Sequence, residues 1–128
     1  MSQGTVTTVI GKLAQTVAAL WIINVWFFRF NKDTGYRGGD ATNMKEEFEV
    51  YGLSETQMYG VGAAKVGLAG TMLVGLAVPR LARPASIGLA GFMVGAIVMH
   101  IRAGDPPKRY LPALSVLSLA TTSAVLND

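Results

Sequence analysis

The sequence predicts an all-α integral membrane protein: a four-helix bundle with a short interfacial amphipathic helix between helices 1 and 2. Three observations carry that expectation. Four apolar segments, residues 13–28, 58–78, 85–101 and 111–126, fill most of the 128-residue chain. Charged residues make up only 15% of it and hydrophobic residues 51%, whereas an ordinary soluble domain has about 25% charged residues. Mean hydropathy is +0.39, so too few charges remain to cover a water-facing surface. The charges that exist mostly bound the apolar segments. One domain is expected at this length, residues 1–128, with spans at about 9–30, 56–78, 85–101 and 110–126 and the interfacial helix at about 43–51.

The first segment has 16 uncharged residues between Lys12 and Arg29. That is roughly 24 Å of helix, a little short of a hydrocarbon core of about 30 Å, and snorkelling by the two flanking cations closes the gap. No positive charge precedes Lys12 and no small-residue cleavage site follows, so a retained helix is expected rather than a signal peptide. Trp21, Trp26, Phe27, Phe28 and Phe30 crowd its C-terminal half. They read as an interfacial aromatic belt or, alternatively, as the wall of a site for a flat ligand.

Residues 31–53 form the one long polar connection. Its glycine-rich start lacks the Gly-Lys-Ser/Thr ending of a phosphate loop. Asn43 is placed to cap a short helix, with Glu46 three residues on. Met44, Phe48 and Tyr51 share one face of that helix, and Gly52 supplies its stop. An amphipathic helix of this kind lies at the interface or plugs the mouth of the bundle. Ser54 and Gln57 form a capping box that opens the second span.

On the second span Gly60, Ala63, Ala64, Gly67, Gly70, Thr71 and Gly75 cluster on one side, which predicts close helix approach there. Lys65 lies opposite, with Met58, Gly62, Leu68, Ala69, Met72 and Leu76. Pro84 suits the first turn of the third span, whose Gly91-Phe92-Met93-Val94-Gly95 is a GxxxG packing motif. Gly67, Gly91 and Gly95 are the expected packing positions. The last segment carries Ser115, Ser118, Thr121, Thr122 and Ser123, which suit internal packing.

Arg29, Lys32, Arg37, Lys45, Arg102, Lys108 and Arg109 fall on the side of the two longer connections, and Lys12, Arg80 and Arg83 on the other. The positive-inside rule then puts those connections in the cytoplasm, or its equivalent, and both termini outside. Bacterial inner, thylakoid and organellar membranes are not distinguished. No Lys/Arg run resembles a nucleic-acid footprint, so membrane lipids are the expected partners and nucleic acid is not. The absence of cysteine excludes disulfides, iron–sulfur clusters and thiolate metal sites.

The order of several elements resembles the DoxX-like family of small four-helix membrane proteins. The resemblance rests on Phe28-Arg29-Phe30, on Lys45-Glu46-Glu47-Phe48 through Tyr51-Gly52-Leu53, on Tyr59-Gly60-Val61-Gly62-Ala63-Ala64-Lys65 and on Gly95-Ala96-Ile97-Val98-Met99-His100-Ile101-Arg102-Ala103-Gly104-Asp105. It covers roughly residues 14–125. It implies a membrane subunit: one branch is linked to a thiosulfate:quinone oxidoreductase, bacterial members to oxidative-stress complexes, and animal relatives to membrane chaperoning. Many relatives carry an acidic residue where Lys65 stands and Lys where Arg29 stands. An acid–base pair across those two positions cannot form in this chain.

Rare polar side chains in apolar segments are the functional candidates. Lys65 lies about seven residues, roughly 10 Å, inside its segment. It either snorkels toward Glu55 or lines a cavity as a cation paired with Glu46, Glu47 or Glu49, and the paired cavity is the favoured expectation. His100 is the sole histidine, so a zinc or di-metal site is not expected. It reads as an interfacial hydrogen-bonded residue, a proton-transfer group beside a quinone-like ligand, or a single axial ligand to a tetrapyrrole. Arg102 pairs locally with Asp105 or contacts lipid headgroups, or it joins Arg29 and Arg109 around an anion. Trp26 completes the candidate ligand contacts. No catalytic residue is assigned, because no Ser–His–Asp order, paired-carboxylate site or nucleotide fingerprint is present. The chain therefore reads first as an accessory or assembly subunit that packs against a larger membrane complex or a second copy. The alternative is a quinone- or lipid-binding subunit of a membrane oxidoreductase.

Overall fold

The computed structural model describes residues 3–127, Gln3 by its backbone alone; residues 1, 2 and 128 of the expected domain lie outside it. All regular structure among the described residues is helical. Helix α1 (Gln3–Ile23) runs on into a π-helical turn (Asn24–Phe28), followed by α2 (Met44–Val50), α3 (Glu55–Val74), α4 (Ala82–Arg102) and α5 (Leu111–Leu126). Single 3₁₀ turns, Pro79–Leu81 and Pro107–Tyr110, lead into α4 and α5. Three stretches are long and apolar enough to cross a membrane: Gly4–Phe28, Pro79–Arg102 and Pro107–Leu126. Helix α3 has a comparable 20 residues but is not among them, because Lys65 and its polar first turn lower its hydropathy.

Helix α1 begins well before the expected residue 9. Its early threonines do not break it, since Thr7 and Thr8 donate their hydroxyls to the Gly4 carbonyl, and a hydroxyl satisfied this way is tolerated in an apolar helix. The helix ends unexpectedly. Arg29 N–H bonds back five residues to Asn24 O, a wider turn than the α-helix allows. That extra residue parts the aromatic cluster. Phe27 and Phe28 point outward, 66% and 70% exposed, while Trp21 and Trp26 turn inward.

The caps follow the sequence closely. Asn43 accepts from Glu46 N, and Ser54 and Gln57 form the reciprocal capping box. Glu46, however, turns its own carboxylate to the Thr42 N–H and hydroxyl rather than to Asn43. Gly52 closes α2 with φ +75°, Leu53 N bonding to Phe48 O and Gly52 N to Glu49 O. This is a Schellman motif. The same pattern recurs at Gly104 (φ +77°), where Asp105 N bonds to His100 O and Gly104 N to Ile101 O.

Helices α1, α3, α4 and α5 pack in ring order, each against two neighbours. Toward the termini the ring is closed by small side chains. Ala14, Ala18, Ala19, Ala82, Ala85, Ala120, Ser86 and Ser123 are all buried. Polar groups there bond between helices: Ser86 and Ser123 share a hydrogen bond of 2.7 Å, and Asn127 donates to Gly11 O. Gln15 donates its amide to Met72 O. That carbonyl lies at the end of α3, where Leu76 N bonds to Leu73 instead. The amide oxygen of Gln15 is left without a partner.

The packing glycines differ from the expected ones. A Cβ added at Gly67, Gly91 or Gly95 would meet nothing within 4 Å. The close approaches are made at Gly11 against Leu126, Gly62 against Trp26, Gly75 against Gln15 and Ala82, and Gly88 against Leu68. On the small side of α3, Gly60, Ala63 and Gly67 face out, and only Gly75 at its end is buried. Met58, Gly62, Ala69 and Met72 are buried on the side of Lys65. Bulky apolar side chains fill the centre of the ring, which leaves the glycine stripe no internal neighbour.

Candidate functional site

At the loop end the same four helices stand apart around a cavity of about 790 Å³, within the usual size range of sites for small molecules. Its deeper wall is apolar: Val17, Leu20 and Trp21 from α1, Phe92, Met93 and Ala96 from α4, and Pro112, Ala113 and Val116 from α5. Helix α3 contributes Val61 and Lys65, and the π-turn contributes Asn24, Val25 and Trp26. Toward the mouth stand Arg29, Thr34, Tyr36, Arg37, Glu47, Tyr51, His100 and Arg109.

Helix α2 is held across that mouth. Its apolar side, Met44 and Phe48, packs with Met58 of α3, and Trp26 and Leu53 join the cluster. Trp26 and Phe48 meet edge to face at 6.0 Å between centroids. Its polar side is locked by Arg37, only 4% exposed. The guanidinium donates to Lys32 O, Arg29 O, Phe30 O and, at 3.2 Å, Glu47 Oε1. Glu47 Oε2 accepts from Gly38 N at 2.7 Å and from the Tyr51 hydroxyl at 3.1 Å. A Cβ on Gly38 would come within 2.6 Å of the Tyr51 ring, so only glycine lets that loop lie so close.

His100, 6% exposed, stands beside Tyr51. Its Nδ1 lies 2.8 Å from Asp105 Oδ2 and its Nε2 3.3 Å from the Tyr51 oxygen. The rings of Tyr51 and Tyr110 flank it at 5.8 and 6.2 Å between centroids. An ionised Asp105 makes Nδ1 the donor. The Tyr51 hydroxyl has one hydrogen, so while it is donated to Glu47 the Nε2 of a protonated His100 donates to the tyrosine oxygen; a neutral His100 would accept the Tyr51 O–H only in place of the Glu47 bond. The row Glu47, Tyr51, His100, Asp105 is thus a continuous hydrogen-bonded path along the cavity mouth. His100 is a buried imidazole hydrogen-bonded on both nitrogens, and axial ligation would require Nε2 to leave Tyr51. Among the described residues no group of three or more His, Asp and Glu is placed to hold a metal ion.

Asp105 also accepts from Gly39 N at 2.9 Å and lies 3.8 Å from Arg109, whose guanidinium donates to Arg37 O and Gly39 O. Burial would raise the Asp105 pKa, but the bonds from Gly39 and His100 and the neighbouring positive charges hold it below the ordinary carboxylate value. Burial, together with the Glu47 charge beside it, pushes the Tyr51 phenol well above its ordinary range. Exposed Glu46 is lowered by its two bonds from Thr42.

Lys65 points into the cavity, its ammonium 5.9 Å from the centre of the Trp26 ring. Gly62, one turn earlier, makes the room that lets Trp26 lie against α3. The expected pairing of Lys65 with Glu46, Glu47 or Glu49 takes a different form. Glu47 lines the same cavity, yet its ion-pair partner is Arg37. Glu46 and Glu49 are exposed. No carboxylate among the described residues lies within ion-pair distance of Lys65. The expected Arg102–Asp105 pair is also replaced, because the Gly104 turn aims the aspartate at His100 and Arg109. Arg102 is exposed and stands outside the large cavity, so of Arg29, Arg102 and Arg109 only the first and last share it.

Four residues carry more of the site than their sequence context announced: Arg37, Tyr51, Asp105 and Arg109. The His100…Gly104-Asp105 spacing is a readable signal, since a Schellman turn returns the residue after glycine toward the last helical turn. Arg37 sits in a turn-rich loop with no periodicity, and nothing local marks it.

The sequence profile of the DoxX-like family matches residues 36–123. No curated protein and no solved structure matches the chain.

Proposed function

Because the chain belongs to the DoxX-like family, we propose that it is a small integral membrane protein that binds one lipophilic molecule, a quinone or a lipid-like amphiphile, in the cavity between its four long helices. One observation carries this: a 790 Å³ space with an apolar interior and polar groups gathered at one end. A lipophile with a polar head fits that polarity gradient, the tail against Val17, Leu20, Phe92 and Val116 and the head toward Lys65, Tyr51 and His100. The hydrogen-bonded path through His100 would let a head group exchange a proton with the loop side. In this reading α3 is a fourth span, its lysine turned inward and its outward face made of small and apolar residues. The two longer connections face the cytoplasmic or equivalent side.

Both tryptophans of the chain line the cavity, so their fluorescence reports on its contents. Titrating detergent-solubilised protein with a short-chain quinone should give saturable quenching that an unlabelled lipophile reverses. Ala113→Phe, which fills the space, should abolish it. Quenching that only grows linearly with quinone would overturn the proposal. The four-span topology is checked separately. The chain has no cysteine, so Ser54→Cys and Pro79→Cys should label from opposite sides of the membrane, and labelling from the same side removes α3 as a span.

A second reading, an accessory subunit of a larger membrane complex or a homo-oligomer, is favoured by the outward glycines. Gly60, Gly67, Gly70 and Gly91 have open space over them, and small residues of this kind let another helix approach closely. Purification in mild detergent should then retain a partner or a second copy. A protein that is monodisperse and monomeric at all concentrations counts against it.

A further inference from the structure

The charges around the cavity do not balance. Arg29, Arg37, Lys65 and Arg109 line it, against the single carboxylate of Glu47. Two of these cations are already committed: Arg37 to Glu47 and three carbonyls, and Arg109 to Asp105 and two carbonyls. Glu47 is saturated too, by Arg37, Gly38 N and the Tyr51 hydroxyl. That leaves Lys65, with Arg29 at the mouth, facing the space with no carboxylate at ion-pair distance among the described residues; the charge of Glu47, already paired with Arg37, acts on it only from farther off.

An ammonium in an apolar setting is costly unless it is paired. The face of Trp26, 5.9 Å from the ammonium, offsets only part of that cost. Neighbouring residues do not resolve the imbalance, because the carboxylates near the mouth, Glu47 and Asp105, are already held by their own donors. We infer that the cavity takes an anionic amphiphile, a carboxylate or phosphate head on an apolar tail, and that Lys65 is the counter-ion of that head group. This rests on the cavity being a lipophile site and narrows the ligand to one charge class. The anion would complete the ion pair that the chain leaves open, within a low-polarity space where such a pair is strongest. Arg29 stands on the route in and favours the same sign of charge. A fatty-acid carboxylate or the phosphate of a membrane lipid supplies the same head chemistry.

The test is a competition read by the two tryptophans in a neutral detergent. The quenchers are dibromostearic acid and dibromostearyl alcohol, equal in tail and different in charge. The acid should bind more tightly by roughly tenfold to a hundredfold, the size of one charge-assisted hydrogen bond. Lys65→Met should abolish the preference for the acid over the alcohol, and circular dichroism of the variant checks that it is folded. Lys65→Arg should keep most of the preference. Equal affinities in the unmodified protein, or a preference that survives Lys65→Met, would overturn the anionic assignment and leave the lipophile site standing. If neither compound quenches saturably, the site itself falls, and the assignment with it. Dibrominated phosphatidylglycerol, added as a third quencher, separates the sources. Lys65-dependent binding of it assigns the head to a membrane lipid, and failure to bind assigns it to a single-chain carboxylate.

Discussion

The two ends of the molecule are built from the same four helices, and they differ in what the helices turn toward each other. Toward the termini the facing residues are Ala18, Ala19, Ala85, Ser86, Ala120 and Ser123, and the backbones approach until the hydroxyls of Ser86 and Ser123 meet. Toward the loops the facing residues are Trp21, Trp26, Phe92 and Met93, and the helices line a half-open cavity instead. The facing residues of the two ends differ in side-chain size. Small residues allow close packing that has to fit. Large ones hold the backbones apart, and a charged network across α2 then keeps the open end in place.

If that contrast is right, the open end fails by loss of charge and the closed end by loss of fit. The largest effect is expected for Glu47→Ala, which strands the buried Arg37 guanidinium. Leaving a buried charge without its partner costs about 3–5 kcal/mol, and thermal unfolding in detergent should show a loss of that order. A loss below about 1 kcal/mol, the level of a surface pair, would mean water reaches Arg37 and the two ends are not so different.

Next come paired substitutions of one alanine at each end. Ala120→Leu, at a position with no exposure, should overpack the closed end at a cost of about 1–3 kcal/mol. Ala113→Leu adds the same atoms to the cavity wall and should leave unfolding nearly unchanged while weakening lipophile binding. Equal destabilisation by both would remove the distinction between the ends.

A smaller effect separates the ends by pH. The Asp105 pKa is lowered in the folded protein by its bonds from Gly39 and His100 and by the nearby cations, which outweigh its burial. Its contribution to stability is therefore complete above the unfolded carboxylate pKa, roughly 3.9. It is lost as pH falls from there through the lower folded value. Asp105→Asn should flatten that acid limb in pH-dependent unfolding. Glu46 is lowered in the same direction by Thr42 and should leave a residual slope. An unchanged limb would show that Asp105 is not held ionised.

The smallest expected change is at the outward glycines. Gly67→Ala and Gly91→Ala meet no atom within 4 Å, so each should stabilise the isolated protein by up to about 1 kcal/mol through helix propensity. If either variant instead disperses a complex seen in mild detergent, the outer face of α3 or α4 is a contact surface, and the contrast of ends gains a third region.

Legibility in the sequence followed the range of the interactions. Signals within one turn were readable: Asn43 over Glu46, the Ser54–Gln57 box, the Gly52 stop and the Met44–Phe48 face all hold in the structure. The family resemblance was readable as well. What no local pattern encodes is which way an apolar helix faces when it is apolar nearly all round. Gly67, Gly91 and Gly95 were therefore expected to pack against a helix, and none of them has a neighbour within 4 Å of an added Cβ; Gly95 borders the cavity instead. The candidate site was legible in its residue types, Lys65, His100 and Trp26, and much less so in its pairings. Gly39 meets Asp105 across 66 positions of sequence, and Arg37 takes Glu47 away from Lys65 through a loop with no periodic signal.

Gly38 gives the open end a genetic signature. Its missing side chain is the space occupied by the Tyr51 ring, and Tyr51 is the group that reaches His100. A side chain introduced at position 38 would therefore act at a distance, by pushing that ring away from the histidine. Its defect should be relieved by second-site changes that shrink residue 51, and by few changes elsewhere. Such suppression would be specific to the pair. A selection for revertants of Gly38→Ala would then map the contact between loop and helix with no structural measurement at all.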